Sequence, residues 1–464
     1  MTVPRTSDAG GEPSRRRSPT GPSGISRRAA LAALGVAGLG ASTGCGSVLA
    51  GVAGTGPPAD ALTYWNLFTG GDGSHMVEME DRYRKQHPDV HLNAVTLSWG
   101  TPYYTKLALA ILGNRPPDVA VTHLSRLPTL AAGNLLEPLR GDDLARHGMT
   151  ADRFTPAAWR KGQVDGKQYA VPLDTHPFVM FYNVDICRKA GLLDADGRIA
   201  PITGTDGLVA ALAACRKVTG AYGGVVNVNA DPSTCWRWFD TLYGQLGGEV
   251  LADDGTRIVL DDAKAAQVLA FQRELTVGRK LMPSNIDGNG VNQLFANGKV
   301  GLLFDGVWQL PTYQATKLKF SMAPVPNVFG GAYHCFADSH ALILPRNAGR
   351  DAHRRDTSLG LVRGLLDASM VWAEGGHVPA WKNVQDSAAF RKLRPQSEYV
   401  PAAEAAVYDP AGWYSGAGSD FENIMGFAVA AAEAGQISPD AAVRQIRTKL
   451  NGYASRPAPV GGTA

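Results

Sequence analysis

The stretch Ala61-Leu62-Thr63-Tyr64-Trp65 reads as a strand, and Thr69-Gly70-Gly71-Asp72-Gly73 just behind it as a tight turn. Ser74 can then cap a helix whose apolar residues Met76, Val77 and Tyr83 share one face. Val90 to Leu97 repeats the strand pattern and runs into Trp99-Gly100. Tyr104 to Leu112 is helical, and Pro117-Asp118-Val119-Ala120-Val121 leads a third strand. Strands alternating with helical patterns predict α/β architecture. Toward the far end, Ser438-Pro439 caps a helix carrying Val443, Ile446 and Leu450 and closed by Gly452. No repeat, coiled-coil heptad or run of about 20 apolar residues interrupts this body.

Upstream, residues 1–28 hold Arg5, Arg15, Arg16, Arg17, Arg27 and Arg28 against only Asp8 and Glu12. An apolar run of small residues from Ala29 to Ala41 leads to Ser42-Thr43-Gly44-Cys45. A basic segment, a short apolar segment and small residues at its end make up a secretory signal over residues 1–44. The pattern resembles a bacterial lipoprotein leader, in which Cys45 becomes the lipidated first residue. Ser26-Arg27-Arg28-Ala29-Ala30-Leu31 also resembles a twin-arginine export signal, with general secretion as the other route. Gly40-Ala41-Ser42-Thr43-Gly44 satisfies G-x-S-x-G but lies in this leader, where no strand-turn-helix can present the serine. Residues 45–60 read as a flexible tether.

The leader also settles the charge. The 464-residue chain carries 45 Lys and Arg against 42 Asp and Glu, a net charge of +3 that on its own hints at nucleic acid or an anionic membrane. Beyond residue 44 the count becomes 39 basic and 40 acidic residues, so no nucleic-acid partner is expected. The lipoprotein resemblance makes the fifth cysteine, Cys45, the expected anchor. Cys187, Cys215, Cys235 and Cys335 remain, compatible with zero, one or two disulfides, Cys187–Cys215 being the first pairing to test.

Several segments of the body resemble the family 1 extracellular solute-binding proteins of ABC importers, a group that includes maltose- and oligosaccharide-binding proteins. Gly113-Asn114-Arg115-Pro116-Pro117-Asp118-Val119 is similar to the family's "G..PDV" signature, and Ala132-Gly133-Asn134-Leu135-Leu136-Glu137-Pro138-Leu139 follows it. Asp165-Gly166-Lys167-Gln168-Tyr169-Ala170-Val171-Pro172 with Met180-Phe181-Tyr182-Asn183 resembles the first crossing between domains. Phe295-Ala296-Asn297-Gly298-Lys299-Val300-Gly301-Leu302, with Asp305-Gly306-Val307-Trp308, resembles the best-marked C-terminal segment. Gly376-His377-Val378-Pro379-Ala380 matches the late "G.VPA" turn. The resemblance implies a two-lobed periplasmic-binding-protein fold with discontinuous domains and a hinge cleft. It places residues 60–175 with 337–385 in one lobe, 176–336 with 386–455 in the other, and 456–464 in a disordered tail.

It also implies an extracytoplasmic receptor that captures a carbohydrate and delivers it to membrane permease subunits, anchored by Cys45 to the outer face of the membrane and working as a monomer. A sugar presents an apolar C–H face and a ring of hydroxyls, so its receptor needs flat aromatics and bidentate polar groups. The candidates are Trp65, Gly71 and Asp72 around the first turn, His123 after the third strand, and Asp174 and Thr175 at the crossing. Trp236, Asp305, Gly306, Trp308, Asp338, Trp381 and Trp413 complete the set. His176 and His340 stand as weaker candidates, Arg126 as a possible partner for an anion, and Trp99, Trp159 and Trp372 are assigned to packing. A chain carrying "PDV" followed by Thr122-His123-Leu124, where the maltose branch often has an aromatic, leaves room for a more polar solute.

Two other readings stay open. The fold can hold a non-sugar solute such as a sugar phosphate, polyamine or metal chelate. A secreted hydrolase would need two carboxyls about 5–10 Å apart across the cleft, for example Asp174 and Asp305. No H-e-x-x-h zinc motif, C-x-x-C pair or phosphate loop is present, and Asp287-Gly288-Asn289-Gly290 reads as a polar turn rather than a calcium loop. No cofactor, resident metal or catalysis is expected.

Overall fold

The computed structural model describes Pro58, residues 60–229 and residues 231–458. The expectations placed on the leader, Cys45, most of the tether and the end of the tail fall outside these residues. The strands that position the site are β1 (Leu62–Asn66), β2 (Leu92–Thr96), β3 (Val119–His123), β4 (Ala170–Pro172), β5 (Asp174–Asn183), β6 (Gly224–Val225), β7 (Leu302–Gly306), β8 (Phe320–Pro324), β9 (Cys335–Asp338), β10 (His340–Ile343), β11 (Val378–Pro379) and β12 (Ala406–Val407). The helices around them are α1 (Gly70–Gln86), α2 (Thr101–Leu112), α3 (Pro232–Gln245), α4 (Ala352–Asp367), α5 (Ser369–Glu374), α6 (Asp420–Glu433) and α7 (Pro439–Ala454).

Two sheets result. The first runs β2-β1-β3-β10-β4, with β1 parallel to β2 and β3, and β10 antiparallel to its neighbours. The second runs β12-β9-β5-β7-β6, with β8 and β11 also paired to β5. β5 is its axis. One edge of β5 bonds to β7, while the other bonds in turn to β8 at 179–183, β9 at 176–177 and β11 at 174–175. Side chains alternate across a strand, and β5 uses both faces. Phe178, Met180 and Tyr182 enter one apolar cluster with Trp236, Phe239 and Phe304, and Val179 and Phe181 enter another with Leu303, Phe295 and Tyr313. A third cluster, including Tyr64, Met79, Val121, Leu342 and Trp372, packs the first sheet.

The chain passes between the sheets three times: β4 to β5 through Leu173, β9 to β10 through Ser339, and α5 to β11 through Gly376 and His377. Each sheet therefore collects strands from distant stretches of sequence. The predicted first helix starts earlier than Ser74, at Gly70, with Thr69 as its N-cap. Its inner face is Met76, Met79 and Tyr83, whereas Val77 is 52% exposed because it lies one residue off the 3-4 spacing. At the far end Ser438 caps α7 by accepting from the Ala441 N–H, and Val443, Ile446 and Leu450 are buried; the helix runs through Gly452 to Ala454. No helix among the described residues is long and apolar enough to cross a membrane.

The four described cysteines are free and buried. Cys187 and Cys215 lie within thiol contact but are not joined, so the first-guess disulfide is absent. Burial and neighbouring carboxylates push the Cys235 thiol well up, and burial pushes Cys335 up to about 12.

Candidate functional site

The carboxyl ends of β1, β2, β3 and β7 converge on one crevice, the place where open α/β sheets present their loops to ligands. A cavity of about 360 Å³ lies there. One wall belongs to the first sheet: the 67–72 loop entering α1, Trp99 beyond β2, His123 ending β3 and His340 opening β10. The facing wall belongs to the second: His176 of β5, Asp231 and Arg237 at the start of α3, and Trp308, Gln309 and Thr312 beyond β7. The walls touch at the rim. A Cβ on Gly71 would lie 2.4 Å from Pro311 Cβ, so only glycine lets the turn come this close. On the other side Thr101 Oγ1 donates to the Gly418 carbonyl at 2.9 Å, and the Ala417 N–H donates to Ser125 Oγ at 3.0 Å.

Arg237 is the one guanidinium in this wall. Its head lies 5.0 Å from the Trp308 ring centroid, 5.8 Å from Trp99 and 5.4 Å from Phe336, and it pairs with the buried Glu422 carboxylate at 3.4 Å. Its Nε is buried without a hydrogen-bond partner among the described residues. The opposing indole rings thus hold a cation between them, and Asp72 and Asp231 add carboxylate acceptors.

Beneath the cavity floor Asp174 anchors a cage of imidazoles. His176 Nδ1 and His340 Nδ1 stand 2.9 and 2.8 Å from its oxygens, and His377 Nδ1 stands at 3.2 Å. Burial alone would raise the Asp174 carboxyl, but His340, His176 and His377 hold it well below the ordinary range. Burial alone would depress His377, yet Asp72 and Asp174 raise it to about 10. Burial, with His340 alongside, lowers His176 to about 3, and burial lowers His123 well below its usual value. Gly376, at φ +112° with its Cα against the Val307 carbonyl, turns the chain so that His377 enters the cage; a Cβ there would meet that oxygen at 2.4 Å.

Of the expected site residues, Gly71, Asp72, His123 and Trp308 line the cavity. Asp174 and Thr175 lie just behind it, Thr175 Oγ1 meeting Ser339 Oγ at 3.3 Å. Asp338 is turned away to bind the Ser125 backbone and hydroxyl. Asp305 caps its own strand end by accepting from the Gly306 N–H at 2.7 Å, and Gly306 forms the flat seat under the Trp308 ring. Neither member of the imagined hydrolase pair, Asp174 or Asp305, reaches the cavity. Trp65 is half-buried under Lys106, and Trp413 packs on Tyr414 and Tyr453. Trp236 and Trp381 are core residues. Trp236 donates its indole N–H to Asp409 at 2.7 Å, and Trp381 packs on Phe154 and Arg363. Arg126 stacks on Tyr104 and donates to the Ser415 carbonyl instead of facing a ligand.

Trp99, assigned to packing, is 39% exposed and lines the cavity. Arg237 and His377 carry no local sequence mark of a site residue. The i, i+2 spacing of Asp174 and His176 on one strand face was the available signal for the cage; nothing local joins them to His340 and His377.

Asp305 carries a pH signature. Burial pushes its carboxyl up to about 7, against the opposing Gly306 N–H. The unfolded chain ionises this group near 4, so between about pH 4 and 7 the native state holds the extra proton and stability falls as pH rises. Asp305→Asn keeps the acceptor and removes the titration. The variant is expected to gain on wild type by up to about 1.4 kcal/mol per pH unit between pH 5 and 7, measured by urea unfolding; parallel stability curves would refute this.

A two-lobed α/β receptor with a solute cleft is the class these features define. Residues 70–352 match the bacterial extracellular solute-binding protein family, and the chain belongs to it. Among curated relatives, an arabinooligosaccharide-binding protein of Bacillus subtilis is 26% identical over 73% of this chain and 77% of its own length. A maltooligosaccharide ABC transporter solute-binding lipoprotein of Streptococcus pneumoniae is 24% identical over 66% of this chain and 72% of its own. Among solved structures, the GacH receptor of Streptomyces glaucescens, studied unliganded and with acarbose, superposes with a TM-score of 0.71 at 22% identity, covering 84% of this chain and 98% of that one. The sugar-binding protein MalE of Xanthomonas citri gives 0.70 at 20% identity, with 85% and 97% covered. These are binding proteins, and the two-lobed fold is theirs.

Proposed function

We propose that this chain is the receptor of a carbohydrate ABC importer, tethered outside the membrane through a lipidated Cys45 after removal of residues 1–44, and acting as a monomer that hands its sugar to the permease. The lobes are 60–175 with 337–385, and 176–336 with 386–455. The observation that carries the carbohydrate reading is the cleft itself. Asp72, Asp231 and Arg237 offer paired acceptors and donors for hydroxyls between the Trp99 and Trp308 rings, which suit a sugar's C–H faces. At about 360 Å³ the cavity is near the small end for ligand sites, which favours one or two sugar rings over a long chain. The named sugars of the relatives support the class and leave the identity open.

The test is a thermal-shift and calorimetric screen of the tag-free body against monosaccharides, short oligosaccharides and non-sugar solutes. A cognate sugar at 100 times Kd stabilises by about 2.7 kcal/mol, a shift of several degrees. Trp308→Ala should weaken the same sugar at least tenfold while leaving the unfolding midpoint near wild type. Silence from every sugar with a clear shift from another solute would overturn the carbohydrate reading.

A further inference from the structure

Asp174, His176, His340 and His377 are all buried, and one ligand-type atom from each lies within 4.8 Å of the others. They come from the three passages between the sheets: the start of β5, the first residue of β10 and the residue before β11. Besides the three imidazole Nδ1 atoms, the Asp174 carboxylate receives the Trp372 indole N–H at 2.5 Å and the His340 backbone N–H at 2.9 Å. Five nitrogens thus face a group with about four acceptor sites. The surplus falls on His377 Nδ1, fully buried with no hydrogen-bond partner among the described residues. An orphaned buried polar atom asks for a partner, and an imidazole nitrogen that gives up its proton to an ion becomes a metal ligand.

We propose that Asp174, His176, His340 and His377 bind a divalent first-row transition ion of the zinc type. Three imidazole nitrogens and one carboxylate oxygen form a borderline donor set that suits Zn²⁺ or Co²⁺ and not the all-oxygen preference of Ca²⁺ or Mg²⁺. Bonds of about 2.0–2.1 Å in a tetrahedron set ligand atoms about 3.3 Å apart. The present contacts to the two Asp174 oxygens, 2.8–3.2 Å, lie a few tenths of an ångström inside that spacing, and the four ligand atoms, all within 4.8 Å of one another, draw together around the ion. The outer shell is in place as well. His377 Nε2 lies 3.1 Å from Asp72 Oδ1, the carboxylate that orients a metal-bound imidazole. Trp372 stacks on His377 at 4.3 Å between centroids, and Phe68 packs edge-on to His340 at 4.8 Å, excluding water. His176 and His340 also face the cavity, which supplies the entry path. The ion ties β5, β10 and the approach to β11 together, and its binding needs no sugar.

Tag-free protein, stripped with a chelator and dialysed, is titrated with ZnCl₂ and with CoCl₂ in the absence of any sugar. One ion per chain, a melting temperature raised by several degrees and the visible ligand-field band of tetrahedral Co²⁺ are expected. His377→Gln should abolish the band and the shift, while His353→Gln, on the exposed surface, should keep both. Should His377→Gln not fold, the wild-type Co²⁺ spectrum and stoichiometry decide alone. No band and no melting shift with either ion in excess, or equal binding by folded His377→Gln, overturns the site.

Discussion

Asp174→Ala, measured by urea unfolding in the presence of a chelator, is expected to lose about 3–5 kcal/mol of stability. The reason is the number of groups that depend on one carboxylate. Without it the Trp372 indole N–H, the His340 backbone N–H and the ring nitrogens of His176 and His340 lose their acceptor, and each belongs to a buried residue. His377 keeps only one of its two carboxylate neighbours, Asp72. Breaking a buried pair by removing one partner costs far more than the pair itself contributes, because the other partner stays desolvated. A loss below about 1 kcal/mol would mean that water replaces the carboxylate, and the cage is then solvated rather than sealed. The result also bears on the passages between the sheets, since every residue in the cage sits on one of them.

Trp236→Ala is expected to cost a similar amount, about 3–5 kcal/mol, and to leave sugar affinity unchanged in the fraction that folds. The indole fills a space between α3 and α6, edge-on to Phe421 at 4.9 Å, and its N–H is bonded to Asp409. Truncation leaves a cavity and a buried carboxyl oxygen with no donor, since the other Asp409 oxygen already has no partner among the described residues. The contrast with Trp308→Ala separates a core tryptophan from a cleft tryptophan: one lowers the urea midpoint, the other the affinity. Equal losses of affinity in both would place Trp236 in the ligand's path and refute the assignment.

Trp236 also shows where reading from sequence stops. A surface helix displays its buried face through the 3-4 spacing of apolar residues, which is why α1 and α7 were legible. In α3 nearly every residue from Ser233 to Gln245 is buried, polar ones included, so no stripe distinguishes core from cleft. The turn at Gly70-Gly71-Asp72 was readable because glycine next to a strand end marks a close approach, and the Asp305-Gly306-Val307-Trp308 segment through its resemblance to the family. The imidazole cage was not. Asp174, His340 and His377 are separated by more than thirty residues at each step and meet only because three crossings of the chain converge. Arg237 carried no local mark either; it lines the cavity because Trp99 and Trp308 arrive on either side of it from opposite walls.

The four sealed thiols have a consequence for where such a protein can work. A cysteine reacts as its thiolate, and both burial and the upward shift of Cys235 and Cys335 keep that form scarce at neutral pH. Folding of the described residues therefore calls for no oxidase or isomerase, and their thiols offer oxidants and mixed-disulfide partners nothing to attack. The integrity of this body is indifferent to the redox poise around it, so the same fold can be completed in a reducing or an oxidising compartment.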